Sequence, residues 1–231
     1  MNIDILYEEG LCLAVNKPSG LLTQAPPGID SLERRVKDYL GSDYLGIPHR
    51  LDRPVSGVIL FGKNSRTTHR ISEQFEKRQI DKTYWAAVDG HIEEESGTWI
   101  DYMRKVPDRP IAEIVPPINP DAREAVLHFT VLRGLADCTL LEIRLETGRM
   151  HQIRLQFSAH GHPILGDAMY GSQRPFGEQY EDERRRAVAL HARSLKFVNP
   201  TNKDAVELVA PLPIMWEEFR ETAWSALKGI A

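Results

Sequence analysis

Apolar positions recur along this chain at spacings that predict both helices and strands. Leu32, Val36 and Leu40 are spaced four residues apart, which predicts a helix that Ser31 caps and Gly41 ends. Residues 66–78 repeat this pattern behind a polar cap. The other predicted helices cover residues 151–160 and 215–227.

Strands are predicted where apolar residues alternate or form short runs. The run from Val58 to Phe61 is typical of a buried strand. Alternation on both sides of Gly134 predicts an antiparallel hairpin, whereas five prolines between Pro107 and Pro120 predict an extended, exposed loop. Further strands are predicted over residues 3–7, 11–16, 83–88 and 190–198. Because strands predominate, the predicted fold class is α+β with a mixed, mainly antiparallel central sheet.

Composition adds little to this picture. The chain has 231 residues, 42% of them hydrophobic and 27% charged, as in ordinary soluble proteins. Cys12 and Cys138 are far apart and predict reduced, buried thiols. The amino terminus does not resemble a signal peptide and no apolar run is long enough to span a membrane, so we expect a cytoplasmic protein without a membrane partner. A net charge of -4 does not indicate a nucleic-acid binder, although a local basic patch would still attract phosphates.

The segment from His49 to Gly57 carries the most chemical information. Asp52 lies between Arg50 and Arg53, and flanking cations favour an ionised carboxylate that serves as a nucleophile or base. Guanidinium groups also suit phosphates and stacked bases. A surface cluster of ion pairs is the alternative explanation of the same residues.

This segment resembles the central His-Arg-Leu-Asp motif of the RluA-type pseudouridine synthases, which convert uridine in RNA into its carbon-linked isomer. Other motifs of that family occur before and after this segment in the expected order, and together they extend from about Asp4 to Pro213. They cover residues 16–21, 82–88, 145–154 and 161–171.

The resemblance implies one catalytic domain over residues 1–231 with the pseudouridine synthase fold. It also implies an isomerase that needs neither a cofactor nor a metal ion. Many relatives carry an additional RNA-binding domain of the S4 type, which we expect this chain to lack. The implied partner is an rRNA or tRNA stem-loop, and a monomer is favoured, although the sequence leaves the oligomeric state open.

Family resemblance also assigns residue roles. Asp52 matches the carboxylate that starts cleavage of the glycosidic bond, Tyr84 the tyrosine that stacks on the target base, and Arg154 the arginine that pairs with the carboxylate. The alternative for Tyr84 is a strand tyrosine in the core, which is compatible with stacking, and the alternative for Arg154 is a solvated helix face. Arg50 matches a residue that enters the RNA stack where the target nucleotide has left, and its alternative is a structural ion pair with Asp52 or a neighbour.

Three more motif residues, Lys17, Arg149 and His151, are expected to bind RNA or to support the site. Phosphate contacts or a merely solvated face would explain a further set of basic residues: Arg66, Arg70, Lys77, Arg78, Lys82, Arg184, Arg185 and Arg186. The chain departs from the family pattern at Gln24, Val55 and Gln156, which affects fine positioning of the substrate rather than the reaction.

Three hypotheses follow. The first is an RNA pseudouridine synthase that uses Asp52, Tyr84 and Arg154. The second is a catalytically silent RNA-binding or ribosome-assembly factor of the same fold, which would not need a reactive carboxylate. The third, an aspartate-dependent hydrolase, lacks a second carboxylate or metal set at a recognisable spacing.

Overall fold

A computed structural model describes residues 3–219. The helices are α1 (Leu32–Leu40), α2 (Ser65–Glu76) and α3 (Gln152–Ala159). The strands are β1 (Asp4–Glu9), β2 (Cys12–Lys17), β3 (Ser56–Gly62), β4 (Asp81–Asp89), β5 (Ser96–Lys105), β6 (Ala112–Ile114), β7 (Arg123–Gly134), β8 (Cys138–Leu145), β9 (Leu190–Val198) and β10 (Ala205–Val209). Short 3-10 turns cover Ala168–Tyr170, Glu183–Arg185 and Ile214–Trp216.

Contacts between residues divide the chain into two compact units. The N-terminal unit contains residues 3–83 together with residues 180–186 and 191–213. The central unit contains residues 84–179, 187–190 and 214–219. The single catalytic domain expected from sequence stays a prediction.

The N-terminal unit is built on strands in the order β1, β2, β3 and β9, with β10 beside β9. Its neighbouring strands are antiparallel except β3 and β9, which run parallel through the pairs Ser56–His191 and Gly57–Ala192. Gly57 has a φ of 118°, and a Cβ atom there would lie 2.3 Å from the Ala192 carbonyl oxygen. Only glycine lets the two strands approach so closely.

The central unit orders its strands β4, β8, β7, β5 and β6. The pairs of β7 with β8, β7 with β5, and β5 with β6 are antiparallel. Phe157 of α3 is buried and packs with Trp99 at a ring-centroid distance of 4.7 Å. The mixed, mainly antiparallel architecture with few helices confirms the predicted α+β class.

Most predicted elements are confirmed, with bounds shifted by a few residues. Ser31 caps α1 by accepting a hydrogen bond from the Arg34 N–H, and all seven residues of β3 are buried. The prolines between Pro107 and Pro120 do not keep that whole stretch irregular, because β6 pairs with β5 there. The prediction of an extended, exposed loop is therefore wrong at Ala112–Ile114, where a strand forms and Ala112 is buried. The predicted helix at 215–227 lies mostly outside the described residues.

Candidate active site

Asp52 lies in the loop that precedes β3 in the N-terminal unit, and its side chain is half-buried. The Val55 N–H donates to the Asp52 carbonyl oxygen at 3.1 Å, which closes a turn immediately after the carboxylate. The residues on both sides of this turn determine how firmly the carboxylate is held.

A buried cation holds one side of the loop. Lys17 ends β2, its side chain is fully buried, and its ammonium donates to the carbonyl oxygens of Pro18 at 3.0 Å, Leu21 at 2.7 Å and Arg53 at 3.2 Å. Burial lowers the pKa of Lys17 to about 7, against the opposing effect of the Asp52 carboxylate. The lysine therefore ties the turn after β2 to the residue that follows Asp52.

Two further contacts fix the same loop. The Thr23 hydroxyl donates to the Leu51 carbonyl oxygen at 2.8 Å and accepts from the Leu51 N–H at 3.3 Å. Gly20 and Arg53 are also joined in both directions, since the Gly20 N–H donates to the Arg53 carbonyl at 2.8 Å and the Arg53 Nε donates back at 2.9 Å. The residues before and after Asp52 are thus both bound to the segment that follows β2.

On its other side the loop is held by a buried serine–histidine pair. Ser56 Oγ lies 2.8 Å from His191 Nδ1, and His191 Nε2 lies 3.2 Å from the Ala210 carbonyl oxygen. Burial lowers the pKa of His191 to about 4, so the ring is neutral at pH 7. Because a carbonyl only accepts, Nε2 carries the proton and Ser56 donates to Nδ1. His191 is not predicted from sequence, since its partner lies 135 residues away.

Arg154 is the corresponding buried cation of the central unit. Its Nε and Nη2 donate to the two carboxylate oxygens of Asp167 at 2.6 and 2.8 Å. The side chains are 4% and 1% exposed, and the Tyr170 ring centroid lies 5.1 Å from the guanidinium carbon. The alternative of a solvated helical arginine is therefore wrong. Asp167 lies in a family motif, but its pairing with Arg154 is not predicted from sequence.

The start of α3 explains the polar residues that precede Arg154. The Gln152 side-chain oxygen accepts from the Thr147 hydroxyl at 2.8 Å and from the Arg149 N–H at 3.0 Å, while its amide nitrogen donates to the Val126 carbonyl at 3.1 Å. One buried amide therefore joins the end of β8, the turn and the helix, which sets where Arg154 lies.

His151 and Arg149 occupy that same turn. Tyr170 links His151 to β6, because its hydroxyl accepts from the Ala112 N–H at 3.0 Å and lies 2.8 Å from His151 Nδ1. Arg149 is exposed, and its Nε donates to the Glu124 carbonyl oxygen at 2.9 Å.

The remaining predicted site residues differ in exposure. Tyr84 is half-buried in β4. Arg50 is exposed and makes no ion pair with a carboxylate of residues 3–219, so the alternative of an ion pair with Asp52 is wrong. Lys17 has no exposed surface. Its expected contact with RNA is therefore corrected to support of the loop that carries Asp52.

The departures from the family pattern are accommodated in different ways. Val55 is 2% exposed, so its methyl group replaces the usual threonine hydroxyl in an apolar setting. Gln156 is fully buried and donates to Asp101 at 2.8 Å and to the Ala125 carbonyl at 3.3 Å. Gln24 is exposed.

Residues 3–219 offer neither a metal-binding cluster nor a membrane-spanning helix. Histidine, cysteine and acidic side chains do not gather there in a group that would hold a metal ion. Within the same residues, each helix is too short or too polar to traverse a lipid bilayer.

The chain is similar to known proteins in both sequence and structure. Residues 12–159 match the family model described as RNA pseudouridylate synthase. A Synechocystis protein named uncharacterized RNA pseudouridine synthase slr1629 is 32% identical over 94% of this chain and 68% of its own length. The tRNA pseudouridine synthase C of Haemophilus influenzae is 30% identical over 94% of this chain and 96% of its own length.

Among solved structures, human RNA pseudouridylate synthase domain containing 1 is similar with a TM-score of 0.75 and 25% identity, covering 94% of this chain and 86% of that one. The chain belongs to the RNA pseudouridine synthases of the RluA type, which are isomerases. The resemblance deduced from the motifs is thereby confirmed. The individual roles of Asp52, Tyr84 and Arg154 stay predictions.

Proposed function

We propose that this protein isomerises a specific uridine of tRNA or rRNA and that Asp52 starts cleavage of the glycosidic bond. In this reaction the bond from N1 to C1′ breaks, a bond from C5 to C1′ forms, and a proton is lost from C5 while N1 gains one. The product is an isomer, so no electrons are gained or lost. The main support is the immobilised Asp52 loop, because a reacting carboxylate contributes most when its orientation is set in advance.

Tyr84 and Arg154 complete the proposed reaction. The half-buried ring of Tyr84 would stack on the everted uracil, and Arg154 would keep the carboxylate ionised and oriented. At a protein-like effective dielectric such a pair is worth about 4 kcal/mol at 4 Å before desolvation is subtracted. The two hydrogen bonds from Arg154 to Asp167 support this role, since they restrict the guanidinium plane to one orientation.

Exposed Arg50 is proposed to enter the gap that the target nucleotide leaves in the RNA stack. Removing a base from a stack costs a few kcal/mol, and a planar cation offsets part of that cost. The absence of an ion pair between Arg50 and the carboxylates of residues 3–219 supports this role, because no ion pair with those residues must first be broken.

A tRNA is the first substrate class to test. The relative named tRNA pseudouridine synthase C matches along 96% of its length, so its similarity to this chain is not confined to one segment. Ribosomal RNA is the second class, and both are tested as unmodified transcripts in the same experiment.

The decisive experiment compares the wild type with Asp52→Asn. Pseudouridine formed in each transcript is counted by carbodiimide-dependent stops in reverse transcription. We expect Asp52→Asn to lose at least about 100-fold in rate, the scale of one proton-transfer or nucleophilic group. The matched control is Asp43→Asn, which neutralises an exposed aspartate of the same unit and should keep the wild-type rate.

A catalytically silent RNA-binding factor is the competing proposal. It predicts that the wild type binds these RNAs and forms no pseudouridine in any of them. Equal product from the wild type and Asp52→Asn would instead refute the assigned role of the carboxylate.

A further inference from the structure

Three consecutive arginines, Arg184 to Arg186, lie in a segment of the N-terminal unit where two of them are already neutralised. Arg184 makes two bonds to the Asp182 carboxylate, at 2.8 and 3.2 Å, and Arg186 pairs with Glu183 at 2.9 Å. Arg185 makes no ion pair with a carboxylate anywhere in residues 3–219. Glu181 also lies in this segment, so residues 180–186 have no net charge, and Arg185 is the arginine of the three that an ion pair does not engage.

An aromatic ring supports Arg185. Its guanidinium carbon lies 4.4 Å from the Tyr180 ring centroid, and the Arg185 N–H donates to the Asp182 carbonyl oxygen at 2.8 Å. The Arg186 Nε donates to the Tyr180 carbonyl oxygen at 2.8 Å, which closes the segment on itself. A guanidinium that lies over an aromatic ring can still form hydrogen bonds in its own plane, as phosphate binding requires.

The segment packs against the turn that fixes the Asp52 loop. Gly20 has a φ of 79°, and a Cβ atom at this position would lie 2.8 Å from the Arg185 carbonyl oxygen. Gly20 is also joined to Arg53 by the two hydrogen bonds described above. Gly20 thus lies against the Arg185 backbone and is also hydrogen-bonded to Arg53, the residue that follows Asp52.

We propose that Arg185, supported by Tyr180, binds a backbone phosphate of the RNA strand beside the target uridine. The inference rests on the proposed function, because it takes the RNA strand to lie against the Asp52 loop. The chain carries a net charge of -4, so its attraction for phosphates depends on local cations of this kind. Residues 180–186 lie outside the stretch that matches the family model, which makes Arg185 a contact beyond the shared motifs.

The test measures binding of a fluorescently labelled tRNA stem-loop containing uridine, by anisotropy over a series of salt concentrations. One lost phosphate contact weakens binding by about tenfold at low salt and reduces the slope of log K against log salt by about 0.7 to 0.9. We expect both changes in Arg185→Ala. In turnover assays the same variant should show a raised KM with an unchanged kcat.

Arg34→Ala is the matched control. Arg34 is an exposed arginine of α1 in the same unit, without an ion pair to a carboxylate of residues 3–219, so the variant changes net charge equally. It should leave the salt slope at the wild-type value. Tyr180→Phe should bind like the wild type, whereas Tyr180→Leu should weaken binding severalfold because the supporting ring is lost.

The outcomes separate this inference from the proposed function. A wild-type salt slope in Arg185→Ala, or equal losses in Arg185→Ala and Arg34→Ala, overturns the phosphate contact even if pseudouridine is formed. A specific loss in Arg185→Ala, together with no pseudouridine from the wild type, supports the contact and refutes the catalytic proposal. Absence of RNA binding by the wild type overturns the contact.

Discussion

Among residues 3–219, Lys17 of the N-terminal unit and Arg154 of the central unit are buried basic side chains that support or form part of the proposed active site. The two are stabilised differently. Lys17 in the N-terminal unit donates to three backbone carbonyl oxygens. Arg154 in the central unit faces the carboxylate of Asp167. Both side chains are nearly or fully inaccessible to solvent.

The two charges differ in how easily they can be lost by deprotonation. Carbonyl dipoles satisfy the hydrogen bonds of Lys17 but carry no net charge, so burial lowers its pKa to about 7. The Arg154 charge is stabilised by the carboxylate of Asp167, and arginine does not deprotonate in proteins. We therefore expect the contribution of Lys17 to the free energy of unfolding to depend on pH, and that of Arg154 to depend on the presence of Asp167.

The largest effect is expected from breaking the arginine–carboxylate pair. Asp167→Asn leaves a buried guanidinium without its counter-charge, which should cost about 3 to 5 kcal/mol of unfolding free energy. Urea denaturation measures the loss. In the control Asp137→Asn, an aspartate that is 70% exposed loses its pairing with Arg174, and the cost should stay below about 1 kcal/mol. Equal losses in the two variants would contradict the importance of burial.

Replacing Lys17 should have a smaller effect. Lys17→Met keeps the length of the side chain but removes the donor to the Pro18 and Leu21 carbonyl oxygens, at a cost of about 1 to 3 kcal/mol. The Arg53 carbonyl oxygen keeps its bond from the Gly20 N–H. Because the Asp52 loop loses the hydrogen bond from Lys17 to Arg53, the rate of pseudouridine formation should fall as well. Lys37→Met, which breaks a surface pair with Glu33, should change stability by about 0.5 kcal/mol or less. A wild-type rate in Lys17→Met would argue against its role in holding the loop.

Alkaline pH distinguishes the two cations. The pKa of Lys17 is lowered from 10.5 to about 7, so between these values the unfolded chain binds more protons and this group's contribution to stability rises with pH. The stability difference between the wild type and Lys17→Met should therefore grow by up to about 1.4 kcal/mol per pH unit above pH 7. The difference between the wild type and Asp167→Asn should stay constant. Denaturation midpoints at several pH values give both results.

The smallest effect is expected from the buried histidine beside the Asp52 loop. Burial lowers the pKa of His191 from 6.5 to about 4, so in this window stability falls as pH falls and the unfolded chain takes up the proton. We expect a loss of about 1 kcal/mol from this group between pH 6.5 and 5.5. His191→Gln should have a flatter pH profile than the wild type, whereas an unchanged profile would show that His191 does not cause the acid sensitivity.

Local sequence signals predict much of the fold but only part of the site. The cap at Ser31, the buried strand β3 and the hairpin around Gly134 all depend on residues close together in the chain. The sequence predicts neither β5 nor β6, and prolines lie on both sides of β6. At β6 the pairing with β5 and the hydrogen bond to Tyr170 outweigh the local preference for an irregular loop.

The sequence by itself determined the family, the α+β class and the residues that carry the proposed chemistry, because those depend on residue order and local spacing. Only the tertiary structure decided which groups hold those residues. Lys17 and Arg53 are 36 positions apart, and Ser56 and His191 are 135 positions apart. Such pairs form because buried polar groups need hydrogen-bond partners, and these partners come from distant parts of the chain. The spacing of residues along the sequence does not predict them.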